Sequence, residues 1–99
     1  PKILIINPNS RLSWQYHIRR AEIWSIFKGP VGIIRSKNDS QKNMEIFDSG
    51  NQIKINQGER HRIIGLKNSA VIAEIWQHTD AKNPSDENDI IRLDDDFGR

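Results

Sequence analysis

Apolar and polar positions alternate along most of this chain in short runs, and each run ends in a turn signal. Lys2 to Ile6 is a β-branched run, and Asn7-Pro8-Asn9-Ser10 closes it. From Arg11 to His17 the period is two. Ser13, Gln15 and His17 fall on one face, and Leu12, Trp14 and Tyr16 on the other. A turn through Ile18 to Ala21 leads into a strand from Glu22 to Phe27, where Glu22, Trp24 and Ile26 share a face. The same residues also place Ile23, Trp24 and Phe27 on one stripe of a helix, so this stretch has two readings.

Lys28-Gly29-Pro30 is the next turn. Strands follow at Val31 to Arg35, Met44 to Phe47 and Gln52 to Ile55, separated by a polar loop from Ser36 to Lys42 and by Asp48-Ser49-Gly50. Asn56-Gln57-Gly58 turns the chain into His61 to Leu66. Lys67-Asn68-Ser69 then predicts a hairpin onto Ala70 to Gln77. His78 to Asn88 is polar and contains Pro84, Asp89 to Leu93 is a brief apolar island, and Asp94 to Arg99 is acidic. This rhythm predicts an all-β fold, a sandwich or small barrel of seven or eight strands.

Composition narrows the picture. Ninety-nine residues, 35% of them hydrophobic, make one domain spanning 1–99 with a thin core. Cysteine is absent, which excludes disulfides and thiolate metal sites and fits a cytoplasmic location. No apolar run approaches the roughly 20 residues that span a bilayer, so no membrane partner is expected. Net charge is +2, from 15 basic and 13 acidic residues, but the sign changes along the chain. Residues 1–79 carry 12 Lys/Arg against 6 Asp/Glu, and residues 80–99 carry 3 against 7. The acidic tail from about residue 80 is expected to pack on the basic barrel. The basic residues are scattered through strands, with no basic helix or stacking platform, so nucleic acid is not an expected partner.

Gln15, His17 and Glu22 read Q-x-H-x4-E, and each can bind a divalent metal. Gln15 and His17 would share a strand face, Glu22 would enter opposite them, and His61 could come from a second turn. Blander roles exist for each: a hydrogen-bonded structural histidine, a Gln bonded to backbone, and a Glu22 paired with Arg20.

The stretches SRLSWQYHIRRAEIWSIFKG, GNQIKINQGERHRI and DIIRLDDDFGR resemble the cupin domain of type II mannose-6-phosphate isomerases, over nearly the whole chain. The matching positions are Arg11, Leu12, Ser13, Gln15, Tyr16, His17, Arg20, Ala21, Glu22, Trp24 and Gly29, then Gly50, Gly58, His61 and Arg62. The closing motif matches at Asp89, Ile90, Arg92, Asp95, Asp96, Phe97, Gly98 and Arg99. The chain departs at Ile18, Arg19 and Ile23, where the family often has histidines, at Asn9 for a glycine, and at Asn56 for a proline. The family's R-P-W-G segment has no counterpart among these residues, and the chain begins at Pro1 without Met. An upstream piece is therefore expected. In the family the domain often follows a sugar-nucleotide pyrophosphorylase domain; these residues are read as the cupin domain standing alone, without that domain.

The resemblance implies a cupin jelly roll, a double-stranded β-helix. It implies one divalent cation on Gln15, His17, Glu22 and His61, with zinc first and manganese, cobalt, nickel or iron as alternatives. The implied reaction is the mannose 6-phosphate to fructose 6-phosphate isomerisation, through an enediol. Arg20, Arg92 and Arg99 are the candidate anchors for a hexose phosphate, since guanidinium grips phosphate through paired hydrogen bonds. Arg20 and Arg99 are also the candidates for a catalytic role. A metal-bound hydroxide, Glu74 or an acid of the Asp94 to Asp96 run could be the base. Leu12, Trp14, Tyr16 and Trp76 are read as an exposed apolar patch, and hence as a homodimer contact. The competing reading is a non-catalytic carbohydrate- or metabolite-binding cupin. An iron oxygenase is disfavoured, because the Gln15 amide does not suit the usual facial triad.

Overall fold

The computed structural model describes residues 1–96. They form nine strands: β1 (Lys2–Ile6), β2 (Trp14–Tyr16), β3 (Arg20–Lys28), β4 (Val31–Ser36), β5 (Glu45–Phe47), β6 (Gln52–Ile55), β7 (Arg60–Ile64), β8 (Ala70–His78) and β9 (Ile91–Asp94). One sheet runs β1-β8-β3-β6 and the other β5-β4-β7-β2-β9. Every pairing is antiparallel. This is the jelly roll that the strand rhythm and the resemblance imply. The helical reading of this stretch is excluded, because Arg20–Lys28 is a strand paired with β8 and, over Glu22–Ser25, with β6 on its other edge. Among the described residues no helix is long and apolar enough to cross a membrane.

The core sits between the sheets. Ile6, Trp24, Ile26, Val31, Ile33, Ile53, Ile55, Ile63 and Ile72 are buried there, with Leu4, Leu12 and Phe47 packed at its margin. Each fully buried aliphatic side chain contributes about 1.5–3 kcal/mol, so this layer holds the barrel together. At one end the inward positions change from aliphatic to polar. Glu22 and Glu74 follow the inward faces of β3 and β8, and Gln15 and His61 those of β2 and β7.

Three expectations need correction. Residues 67–69 do not close a hairpin, because β7 and β8 lie in different sheets. The Gly65 amide donates to the Ser10 carbonyl at 2.6 Å, and the Asn9 amide to the Leu66 carbonyl at 2.8 Å, so the chain leaves β7 tied to the loop after β1. A side chain at Gly65 would stand 2.1 Å from the Asn7 carbonyl oxygen, and glycine is what permits this crossing. Secondly, the run from Arg11 to His17 is a strand only over Trp14–Tyr16, with an isolated bridge from Arg11 to Ile64. Thirdly, the apolar island near residue 90 is a true strand: β9 extends the second sheet beside β2.

The apolar patch read from the sequence is not exposed. Leu12 packs against the core. Trp14 is buried, and its indole Nε1 donates to the Asp39 carbonyl at 2.8 Å, under the loop after β4. Tyr16 is half-buried with the Arg60 guanidinium 3.7 Å above its ring, and Trp76 is stacked in the same way by Arg20 at 3.6 Å. The exposed large apolar side chains include Ile3, Ile5, Phe27 and Ile75, on the other sheet.

Candidate metal centre

Gln15 of β2 and His61 of β7 are direct cross-strand partners, so both side chains leave the same face of the second sheet. His17 follows two residues after Gln15 and keeps that face. Glu22 comes from the opposing sheet, on the inner face of β3. The turn before β7 is pinned to this site. Gly58 has φ of 74°, a conformation glycine adopts without strain, and its amide donates to the His17 carbonyl at 2.9 Å.

The four side chains converge. The Gln15 amide nitrogen lies 3.5 Å from Nε2 of both His17 and His61. Glu22 Oε2 is 3.4 Å from His17 Nε2. Donor atoms from His17, Glu22 and His61 all lie within 4.8 Å of one another, and all three residues are buried. The Gln15 Oε1 takes the Ser13 hydroxyl. Amide oxygen and nitrogen are assigned from their hydrogen bonds, and a half-turn of this amide presents its oxygen to the two imidazoles.

The outer partners set the inner chemistry. His17 Nδ1 lies 2.7 Å from the Asp89 carbonyl, and His61 Nδ1 lies 2.9 Å from the Glu59 carbonyl. A carbonyl only accepts, so each Nδ1 carries the proton and each Nε2 turns a lone pair into the site. Burial lowers the pKa of both rings, that of His61 to about 4, despite the opposing pull of Glu22. Both are therefore neutral at pH 7. Burial would raise the Glu22 pKa, but the two histidines and Arg20 outweigh it, and the carboxyl stays below its usual range. Arg20 Nε donates to Glu22 Oε2 at 2.7 Å, and Trp24 Nε1 to Oε1 at 2.9 Å. Two imidazole lone pairs, one ionised carboxylate and one amide converge on a single buried point, and this donor set fits a divalent cation.

The sequence matches the family described as Mannose-6-phosphate isomerase C-terminal over residues 1–95. The chain belongs to this family. None of the curated proteins matches it. Among solved structures, the cupin fold is shared with oxalate decarboxylase from Bacillus subtilis (TM-score 0.75, 16% identity, 92% of this chain and 22% of that one). A Cupin 2 conserved barrel domain protein from Salinispora arenicola is similar at TM-score 0.66 and 17% identity, over 81% of this chain and 61% of that one. Vicilin from hazelnut, Corylus avellana, is similar at TM-score 0.71 and 20% identity, over 93% of this chain and 25% of that one. The chain thus spans less than two thirds of these proteins' lengths.

Within this member of the mannose-6-phosphate isomerase family, the described anchor candidates separate. Arg20 is buried and its donors have partners: Nε meets Glu22, Nη1 the Ser85 hydroxyl and the Asp86 carbonyl at 2.9 and 3.0 Å, and Nη2 lies 3.4 Å from His17 Nε2. It holds Glu22 from within the cavity lining. Arg92 lines the cavity and pairs with Asp95 at 4.0 Å. Arg99 lies outside the described residues. Of the acidic run, Asp96 is gripped by Arg11 at 2.5 and 2.8 Å and Asp94 by buried Arg62 at 3.1 Å. Neither lines the cavity.

No motif singles out Lys2, which lines the cavity and meets Glu87 at 3.3 Å. The role of Asp89 was missed too. Its carboxylate accepts the Ile18 and Arg19 amides at 2.9 and 2.8 Å and the Ser85 hydroxyl at 2.6 Å. The only signal for it was its place in the closing motif. Trp24 and Trp76 each hold a carboxylate, a role the sequence reading does not assign to them. Their indole donors on Glu22 and Glu74 lie two residues along the same strands, a spacing that could have been noticed.

Proposed function

We propose that this chain is a divalent-metal-dependent isomerase of hexose phosphates, interconverting mannose 6-phosphate and fructose 6-phosphate. The observation that carries the reading is the convergence of His17, Glu22 and His61 on one buried point of a cavity, in a chain of this family. Gln15 completes the proposed ligand set. The cation proposed there, zinc before manganese, cobalt, nickel or iron, would polarise the sugar carbonyl and offset enediolate charge.

The chain's own residues do the remaining work. His17 and His61 are held in one tautomer by their carbonyl partners, and Glu22 is kept ionised and aimed by Arg20 and Trp24. Leu4, Leu12, Trp24, Ile63 and Ile90 line the cavity and limit water around a reactive enediol. The cavity holds about 210 Å³. That is below the roughly 300–1,000 Å³ usual for small-molecule sites, so it suits the reacting end of the sugar and leaves the phosphate at the mouth. There Lys2 and Arg92 supply positive charge, and Arg92 can grip phosphate through two parallel hydrogen bonds.

The test is to load the chain with zinc, manganese, cobalt, nickel or iron and assay mannose 6-phosphate against other hexose phosphates. Turnover of mannose 6-phosphate, lost on chelation and restored by metal, is the expected result. Metal and sugar binding without turnover of any hexose phosphate would leave a carbohydrate-binding cupin instead.

A further inference from the structure

The tripeptide Glu-Ile-Trp occurs twice, at residues 22–24 and 74–76. The two copies face each other across β3 and β8, with Glu22 opposite Trp76 and Trp24 opposite Glu74. Each indole donates to the carboxylate two residues before it, Trp24 to Glu22 at 2.9 Å and Trp76 to Glu74 at 2.6 Å. Two tryptophan-held carboxylates therefore stand side by side in the wall of one cavity.

They differ in what else they meet. Glu22 accepts from Arg20 and converges with the imidazoles. Glu74 is buried too, but it lies outside that ligand cluster. It lines both the inner cavity and the shallower cleft formed by Pro1, Lys2, Ile75, Trp76 and Glu87. Lys2, Glu74 and Glu87 line both spaces, and of the three only Glu74 is buried.

We propose that Glu74 is the carboxylate that carries the proton between carbons 1 and 2 of the sugar. This rests on the isomerase reading above. Its Oε2 accepts the proton from C2 of the aldose. The C–H electron pair forms the C1–C2 double bond, and the carbonyl pair moves onto O1. The O2 proton passes to O1 as the O2 carbonyl forms, and Glu74 returns its proton to C1. No oxidant or reductant is needed. One oxygen of Glu74 stays on the Trp76 indole throughout, which leaves the other to move the proton.

The experiment compares wild type, Glu74→Gln and Glu74→Asp on mannose 6-phosphate in heavy water, following turnover and deuterium at C1 of the product. Zinc-induced change in melting temperature is measured on the same samples. Expected for E74Q is a fall in kcat of roughly 100-fold or more, the usual worth of a positioned base, with the zinc shift retained. E74D, one methylene shorter, should lose at least about tenfold in kcat at unchanged KM, and it carries the test if E74Q does not fold. E74Q or E74D at wild-type kcat, in an active wild-type background, would overturn this proposal alone. Loss of the zinc shift together with activity would also overturn it, since Glu74 would then be holding the metal. A wild type inactive on every hexose phosphate would overturn the isomerase reading, and this proposal with it.

Discussion

His17 Nδ1 lies 2.7 Å from the main-chain carbonyl of Asp89, a residue 72 positions away. The acidic segment after β8 thereby sets which nitrogen of a central imidazole faces the cavity. The Asp89 carboxylate fastens the same junction from the other side, through the Ile18 and Arg19 amides and the Ser85 hydroxyl. This acidic segment is a clasp over the candidate metal site.

Replacing Asp89 with Asn should weaken this clasp in a pH-dependent way. Burial alone would raise the Asp89 pKa, but the Ser85 hydroxyl and the two backbone amides outweigh it and hold the group at about 2, against an ordinary 3.8. A depressed carboxyl contributes stability that is present above its unfolded pKa and lost as pH falls through the folded one. The contribution is about 2 kcal/mol. Urea unfolding should show D89N less stable than wild type by about that much at pH 7. The gap should narrow between about pH 4 and pH 2. A gap independent of pH would show that the carboxylate charge is not what holds the loop.

Zinc affinity should resist mild acid. The metal needs neutral imidazoles, and burial keeps His17 below its usual pKa and His61 at about 4. Ordinary histidines would lose metal as pH drops through about 6.5. Here calorimetric affinity should stay nearly flat down to about pH 6 and fall below about pH 5. A steep loss between pH 7 and 6 would mean that the rings titrate normally.

Replacing His61 with Ala should abolish tight zinc binding and leave the barrel folded. His61 is not part of the aliphatic layer, which is built from Ile6, Ile26, Ile33, Ile55, Ile63, Ile72 and their neighbours. Wild type at zinc 100 times its dissociation constant should gain about 2.7 kcal/mol, a rise of roughly 10 °C or more for a domain of this size. H61A should keep the far-ultraviolet spectrum of a β protein and show no such rise.

Much of this was legible because strands announce themselves by a period of two. That period put Gln15 and His17 on one face and Glu22 beside Trp24 and Ile26. The motif order brought His61 to them. What could not be read locally is which sheet a strand joins. Lys67-Asn68-Ser69 has the chemistry of a hairpin turn, yet Gly65 sends the chain across the barrel, through hydrogen bonds to residues some 55 positions earlier. Nor does a sequence show which donors are already taken. Arg20 and Arg92 look alike as phosphate anchors until Ser85, Asp86 and Glu22 are seen around one of them. Trp14 looks like surface until the loop bearing Asp39 closes over it.

That difference between the two arginines gives the last prediction. Arg20 pairs with Glu22 at 2.7 Å, both groups buried, and stacks on Trp76. Removing one partner of such a pair strands the other charge, at about 3–5 kcal/mol. Arg20→Met should therefore lower the melting temperature sharply and weaken zinc binding, because Glu22 loses the donor that aims it. Arg92 lines the cavity and is exposed, so Arg92→Ala should leave stability within about 0.5 kcal/mol and the zinc affinity unchanged. Its effect should fall on the phosphate: KM for mannose 6-phosphate should rise about tenfold or more, the loss of a charge-assisted contact, with kcat less affected. Thermal unfolding, zinc titration and steady-state kinetics on both variants separate the two roles. If R20M raised KM at unchanged stability while R92A did nothing to KM, the roles given to the two arginines here would have to be exchanged.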